Sequence, residues 1–345
     1  MMSTYKQKFK LVKKIILSTI FLSTILFYNC GGDESKNKKV ELPKVTVAVN
    51  VVTPASTLIF IADTKGYWKQ EGLDVTIQSF TIGKHCFDAL LGGKADFATV
   101  AEIPIALAGA QGQKFYVVAT ILETENDLKI IARKDKGINS PTDLKGKRFA
   151  IMVGTTSQFF MGKFLAKYGI KESDVSITNL APPDMVSAII RGDVDAVSLW
   201  EPHIYNIKKE LGDNAVVFPG KGVYLQTFDI LIMQDYLTKN EKTVEKFLKG
   251  LVDAENFIKK NQDEAITITA KWIGLDKKVL SEIWDNYDIK VVLDDKLPPL
   301  LLDIAKWAKN KEILPEEVEI PDYKKFIYTK TLKKVKPNGV TLNEF

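Results

Sequence analysis

Histidine and cysteine are almost missing from this chain. Its 345 residues hold two of each: His85, His203, Cys30 and Cys86. No Cys-x-x-Cys or His-x-x-x-His spacing can be made from them, so no metal site is expected. No Ser-His-Asp or Cys-His order suggests nucleophilic chemistry, and neither a catalytic residue nor a cofactor is assigned. Excess charge is missing too, once it is located. Of 48 basic residues, Lys6, Lys8, Lys10, Lys13 and Lys14 precede residue 15 with no acid among them, leaving 43 bases against 43 acids. A formally neutral body removes the electrostatic case for nucleic acid as a partner. Nor does the main apolar run, Ile15 to Tyr28, reach the roughly 20 residues that a helix needs to cross a bilayer.

That run has the layout of an export signal: basic residues, an apolar stretch, then Cys30-Gly31-Gly32 and a polar tract through Lys39. It resembles a bacterial lipoprotein signal, which is cut before a Cys that then carries lipid. Leu26 stands near the usual apolar position, while Phe27, Tyr28 and Asn29 are bulkier than the usual small residues. The expectation is a signal peptide over 1–29, an acylated Cys30 with a polar linker over 30–43, and a lipid anchor of palmitate-type chains. If Cys30 is acylated, Cys86 is the one free thiol and the mature chain forms no internal disulfide.

The body contains a repeat. Ala89 to Val100 aligns with Ala188 to Leu199 at a constant offset of 99, and Glu102 and Glu201 keep that offset. Each copy reads as the end of an amphipathic helix, a Gly stop, a turn carrying Asp, and a short buried strand. Upstream, Val45 to Val49 and Arg148 to Val153 read as matching strands followed by Thr/Ser-rich loops. Two α/β lobes with mostly parallel sheets follow. Ligands of such sheets sit beyond the carboxyl ends of the strands, which directs attention to the loops Thr53 to Thr57 and Gly154 to Ser157. Ile130 to Arg133 reads as a strand leaving lobe one and Thr227 to Met233 as one returning, a double hinge crossing. Lobe one is then 44–131 plus 227–335 and lobe two 132–226. Residues 240–335 are helical in pattern, with Glu241 to Lys260 amphipathic, and 336–345 reads as a loose tail.

Ala62 to Val75, ADTKGYWKQEGLDV, resembles the opening signature of the nitrate, sulfonate and taurine binding proteins. Gly92 to Pro104, Asp143 to Lys147 and Trp200-Glu201-Pro202 resemble later pieces of that family in the same order, so that the match spans 44–310. The resemblance implies the two-lobed type II periplasmic binding protein fold, a monomer that closes on a small-molecule ligand and docks to an ABC permease with a separate ATPase. Lipid-anchored, it would face the periplasm or the outer surface of the cell envelope. Its ligands would come from the aliphatic sulfonate, taurine and nitrate class, with a thiamine-precursor pyrimidine or another heterocycle as the alternative. A sensor, or a biosynthetic enzyme of the same fold, is the rival class. The pyrimidine synthase of that fold carries a cysteine-rich motif, whereas this body has Cys86 alone.

Two loop-to-helix junctions can offer backbone N–H groups to an anion. Gly83 and Lys84 lie at one, Thr155, Thr156 and Ser157 at the other, with Thr53 and Ser56 in the loop after the first strand. Helix capping is the competing role of these hydroxyls. Trp200 could cap a pocket or fill a core, and Phe228 joins the set from the returning strand. Glu201 could hold an ammonium or a heterocycle N–H, while Glu102 reads equally as a hinge or interlobe contact. Tyr67 and Trp68 read as core.

Overall fold

The valine-rich run after Lys44 forms β1 (Lys44–Asn50), buried on both faces as a central parallel strand must be. The computed structural model describes residues 41–342, so the expected signal peptide and Cys30 lie outside the described residues. β1 pairs in parallel with β2 (Asp74–Phe80) and β3 (Phe97–Ala101). Antiparallel pairings then extend the sheet through β10 (Gln226–Met233), β4 (Phe115–Thr124) and β11 (Asp288–Val292), giving the order β2, β1, β3, β10, β4, with β11 at the far edge.

The second sheet repeats this plan. β6 (Arg148–Ile151) pairs in parallel with β7 (Ser176–Asn179) and β8 (Ala196–Trp200), and β5 (Leu128–Arg133) runs antiparallel between β8 and β9 (Ala215–Phe218). Each sheet's antiparallel fourth strand is the one the chain enters on arriving from the other sheet.

Helices cover both sheets. The first carries α1 (Thr57–Thr64), α2 (Tyr67–Gln70), α3 (Gly83–Leu91) and α4 (Glu102–Ala110). The second carries α5 (Thr156–Lys167), α6 (Pro182–Arg191) and α7 (His203–Leu211). After β10 come α8 (Gln234–Lys260), α9 (Gln262–Ile273) and α10 (Lys277–Ile283), then, beyond β11, α11 (Leu297–Asn310) and α12 (Lys330–Val335).

The sequence repeat is a repeat of hydrogen bonds. Helix α3 precedes β3, and α6 precedes β8. Each helix ends on a left-handed glycine, Gly93 at φ 66° and Gly192 at φ 83°. Lys94 N–H reaches Ala89 C=O at 2.8 Å and Gly93 N–H reaches Leu90 C=O at 3.0 Å; Asp193 to Ala188 and Gly192 to Ile189 repeat both bonds at 2.9 and 3.2 Å. This closes the last turn without stranding its carbonyls. The repeated Asp then pins the neighbouring strand: Asp96 Oδ2 accepts the Thr46 N–H at 2.8 Å, and Asp195 Oδ2 accepts the Arg148 N–H at 2.9 Å.

Two expectations are corrected. Ile130 to Arg133 does not leave lobe one: β5 belongs to the second sheet, because its apolar side chains complete a sheet whose other strands are β6 to β9. The first crossing is therefore residues 125–127, and the return runs from Pro219, directly after β9, to Leu225, directly before β10. As far as residue 342, the C-terminal stretch is not loose either. Helix α12 packs on α8, Lys336 Nζ bonds Glu255 at 2.6 Å and Val291 C=O at 2.8 Å, and Val340 bridges to Leu293. Its lysines are bound to acids of α8, which is why a charge-rich stretch is nevertheless ordered. As expected, Trp68 is core: it stacks on Phe247 at 4.9 Å and donates its indole N–H to that residue's carbonyl. Among the described residues, no helix is long and apolar enough to cross a membrane.

Candidate functional site

The carboxyl ends of β1 and β6 each run through a short loop into a helix, and most of the candidate hydroxyls lie in these two loops. After β1, a single 3-10 turn (Pro54–Ser56) leads into α1. Thr53 Oγ1 accepts the Ala55 N–H at 3.2 Å, and Ser56 Oγ donates to Asn50 C=O at 2.8 Å. After β6, Thr155 caps α5: its hydroxyl accepts the Ser157 N–H at 3.3 Å and donates to Met152 C=O at 2.7 Å. Ser157 Oγ donates to Ser198 C=O at 2.6 Å, and Ser198 Oγ donates back to Ser157 C=O at 2.8 Å, tying the start of α5 to β8. Thr53, Ser56, Thr155 and Ser157 therefore brace the loops. Among the described residues, Thr156 is the member of this hydroxyl set for which no hydrogen bond is seen, although it is buried.

The other candidates separate. Gly83 opens α3, partly exposed and close to the Asn50 side chain. Lys84 lies on the surface, its ammonium 2.9 Å from both oxygens of Asp88 one turn later. Trp200 ends β8 half-buried, its ring edge-on to His203 at 6.1 Å. Phe228 is buried in β10, opposite Ala101 and Leu122.

The two repeat-related glutamates are both buried, and each is held by the antiparallel strand beside it. Glu201 Oε1 lies 2.7 Å from Lys129 Nζ on β5, and its Oε2 accepts the Tyr205 N–H at 3.0 Å. Its carboxylate is thus satisfied within the protein. Glu102, the first residue of α4, accepts the Thr227 N–H of β10 at 2.9 Å and a hydrogen bond from the Tyr224 hydroxyl. Desolvation pushes the Glu102 carboxyl up to about 8 against those hydrogen bonds.

The partners of these carboxyls leave little trace in the sequence. Lys129 is readable only as a lone charge inside an apolar strand. Tyr224, in a glycine-containing connection, and Tyr287, which donates to Asp127 at 2.6 Å, give no local signal. Burial pushes Asp127 up to about 6, against the Tyr287 bond and the Lys129 charge. Cys86 is a free thiol, buried in α3 and pushed up to about 12 by desolvation.

Two mixed α/β sheets flanked by helices and joined by two crossings make up the fold of the periplasmic binding proteins. The periplasmic aliphatic sulphonate binding protein SsuA from Escherichia coli superposes with a TM-score of 0.72 at 20% identity, over 83% of this chain and 97% of its own. The periplasmic nitrate-binding protein NrtA from Synechocystis PCC 6803 gives 0.66 at 15% identity, over 86% and 89%. In sequence, the taurine-binding periplasmic protein of Escherichia coli (strain K12) is 27% identical over 215 residues, 61% of this chain and 66% of that one. Residues 53–265 match the NMT1/THI5 like family, and the chain belongs to it.

Proposed function

We propose that the chain is the solute-binding component of an ABC importer, and that it captures a small solute of the aliphatic sulfonate, taurine or nitrate class, held by its anionic group, between its two lobes. The observation that carries this reading is the duplicated junction. The N-termini of α1 and α5 follow the carboxyl ends of β1 and β6, the position at which open α/β sheets take their ligands. Backbone N–H groups and the positive end of a helix hold an anion without a basic side chain. The names of the relative and of the two solved structures support the ligand class. Thr156 is the hydroxyl left for a ligand, with Trp200 beside the second junction; Thr53, Ser56, Thr155 and Ser157 hold the loops in shape. Binding without chemical change fits a chain with so few histidines and cysteines. Cys30 is the proposed site of lipidation, which would keep the body at the membrane that houses the permease.

A thermal-shift titration of the body from Gly31 onward tests this, with taurine, alkanesulfonates, nitrate, thiamine-precursor pyrimidines and flavins as separate arms. A ligand at 100 times its Kd adds about 2.7 kcal/mol. A shift with one anion class identifies the solute. A shift with a pyrimidine or flavin alone replaces the ligand class, and no shift after refolding to strip a retained ligand overturns the reading.

A further inference from the structure

Each connection between the two lobes is tied to lobe one by a buried carboxyl and a tyrosine. In the first crossing, Asp127 accepts a hydrogen bond from the hydroxyl of Tyr287, which precedes β11 of the first sheet. In the second crossing, Tyr224 donates to Glu102 at the start of α4, and Glu102 also takes the N–H of Thr227 as the chain enters β10. The two arrangements use opposite ends of the same chemistry: one crossing supplies the acid, the other the phenol.

The crossings also touch one another. Gly220 N–H donates to Asn126 Oδ1 at 3.2 Å, Gly222 N–H donates to Glu125 Oε2 at 3.3 Å, and a Cβ on Gly220 would collide with the carbonyls of Leu128 and Glu125. A change at either carboxyl is therefore felt in both connections.

We propose that Glu102 and Asp127 are positioning residues of the hinge, and that the protonation of these two carboxyls sets how firmly the crossings are held to lobe one. That they thereby set lobe closure rests on the solute-binding reading above. Glu102 is fully buried, and the groups on it are neutral donors, Tyr224 and Thr227, with a second buried acid, Asp229 of β10, close enough to repel it. Among the described residues, no cation faces a carboxylate there to replace its water. Asp127 faces Lys129 of β5, but that ammonium already serves Glu201. Tyr224 further feels Asp303 of α11, which is engaged by Lys163 of α5 at 2.6 Å. Asp229 is held by the hydroxyls of Thr120 and Thr227. Removing the proton from Glu102 leaves a charge that the closed packing cannot solvate, and a local opening that admits water relieves it. Burial places this event close to neutral pH for both carboxyls.

Hydrogen exchange of the ligand-free protein tests this without knowledge of the ligand. Exchange is expressed as protection factors, which removes the intrinsic pH dependence. Protection of the amides in 220–227 should fall about tenfold or more from pH 6 to pH 9, and that of 125–127 by a similar factor from pH 4 to pH 7, one tenfold step for each pK unit separating the open and closed states. Amides of β1 and β6 should change far less. Glu102→Gln keeps its amide oxygen as a neutral acceptor for the Thr227 N–H and can donate its NH2 to the Tyr224 oxygen, so it should hold protection in 220–227 nearly level over the same range, whereas Tyr224→Phe should lower it at every pH. Flat protection in the wild type, or a Glu102→Gln profile that titrates as the wild type does, overturns the proposal. Taurine titrations at pH 6 and pH 9 form a separate arm: binding at neither pH counts against the solute class and leaves the exchange result standing.

Discussion

Lys129 and Glu201 form an ion pair with both side chains almost out of water, at 9% and 5% exposure. Two charges withdrawn from solvent are tolerable while they face each other, and either one alone is not. Glu201 therefore differs from a carboxylate kept open for a ligand: its two oxygens are taken up by Lys129 and by the Tyr205 N–H. Lys129→Met should destabilise the protein by about 3–5 kcal/mol by stranding the Glu201 charge. Glu201→Gln, which strands the ammonium, should do the same, while the double substitution should lose much less than the sum of the two. Urea denaturation of all four proteins checks the coupling; additive losses would mean that the pair does not act as a unit.

The elements most legible in the sequence are those whose signals are local. The helix, glycine, Asp and strand of each repeat copy appear in order, because a left-handed glycine stop and an Asp bonded to the next strand's N–H are short-range devices. What is not legible depends on distant partners. β5 reads as part of the wrong lobe because an apolar strand carries no record of which sheet it joins. β11 disappears into a helical pattern, and the terminal lysines look like a loose tail because their acids, Glu241, Glu245 and Glu255, lie 81 to 93 residues earlier in the chain. Gly192 gives a direct test of the repeat's stop signal. At φ 83° an Ala side chain is strained, so Gly192→Ala should cost about 1–2 kcal/mol. The measurement is the shift in thermal midpoint, and a neutral result would mean that the helix end relaxes without the glycine.

The folded protein as a whole carries two sets of titrating acids that act in opposite directions. Asp195 and Glu255 are lowered despite desolvation, the first by Arg148 and the second by Lys259 and Lys336, so the stability they contribute is lost as pH falls through their depressed values. Glu102, Asp229 and Asp127 are raised by burial, to about 8, about 7 and about 6. The folded state binds protons there that the unfolded chain releases near pH 4, so their contribution is complete below that point and is lost as pH rises through 6, 7 and 8. Stability should therefore peak in mildly acidic solution and decline toward pH 9. Glu102→Gln removes one of these protons from the balance. Its unfolding free energy should rise relative to the wild type by about 1.4 kcal/mol for each pH unit between roughly 5 and 8, and level off beyond. Urea unfolding of both proteins at each pH measures this difference; parallel profiles would mean that Glu102 is ionised in the folded state and that the hinge is solvated there.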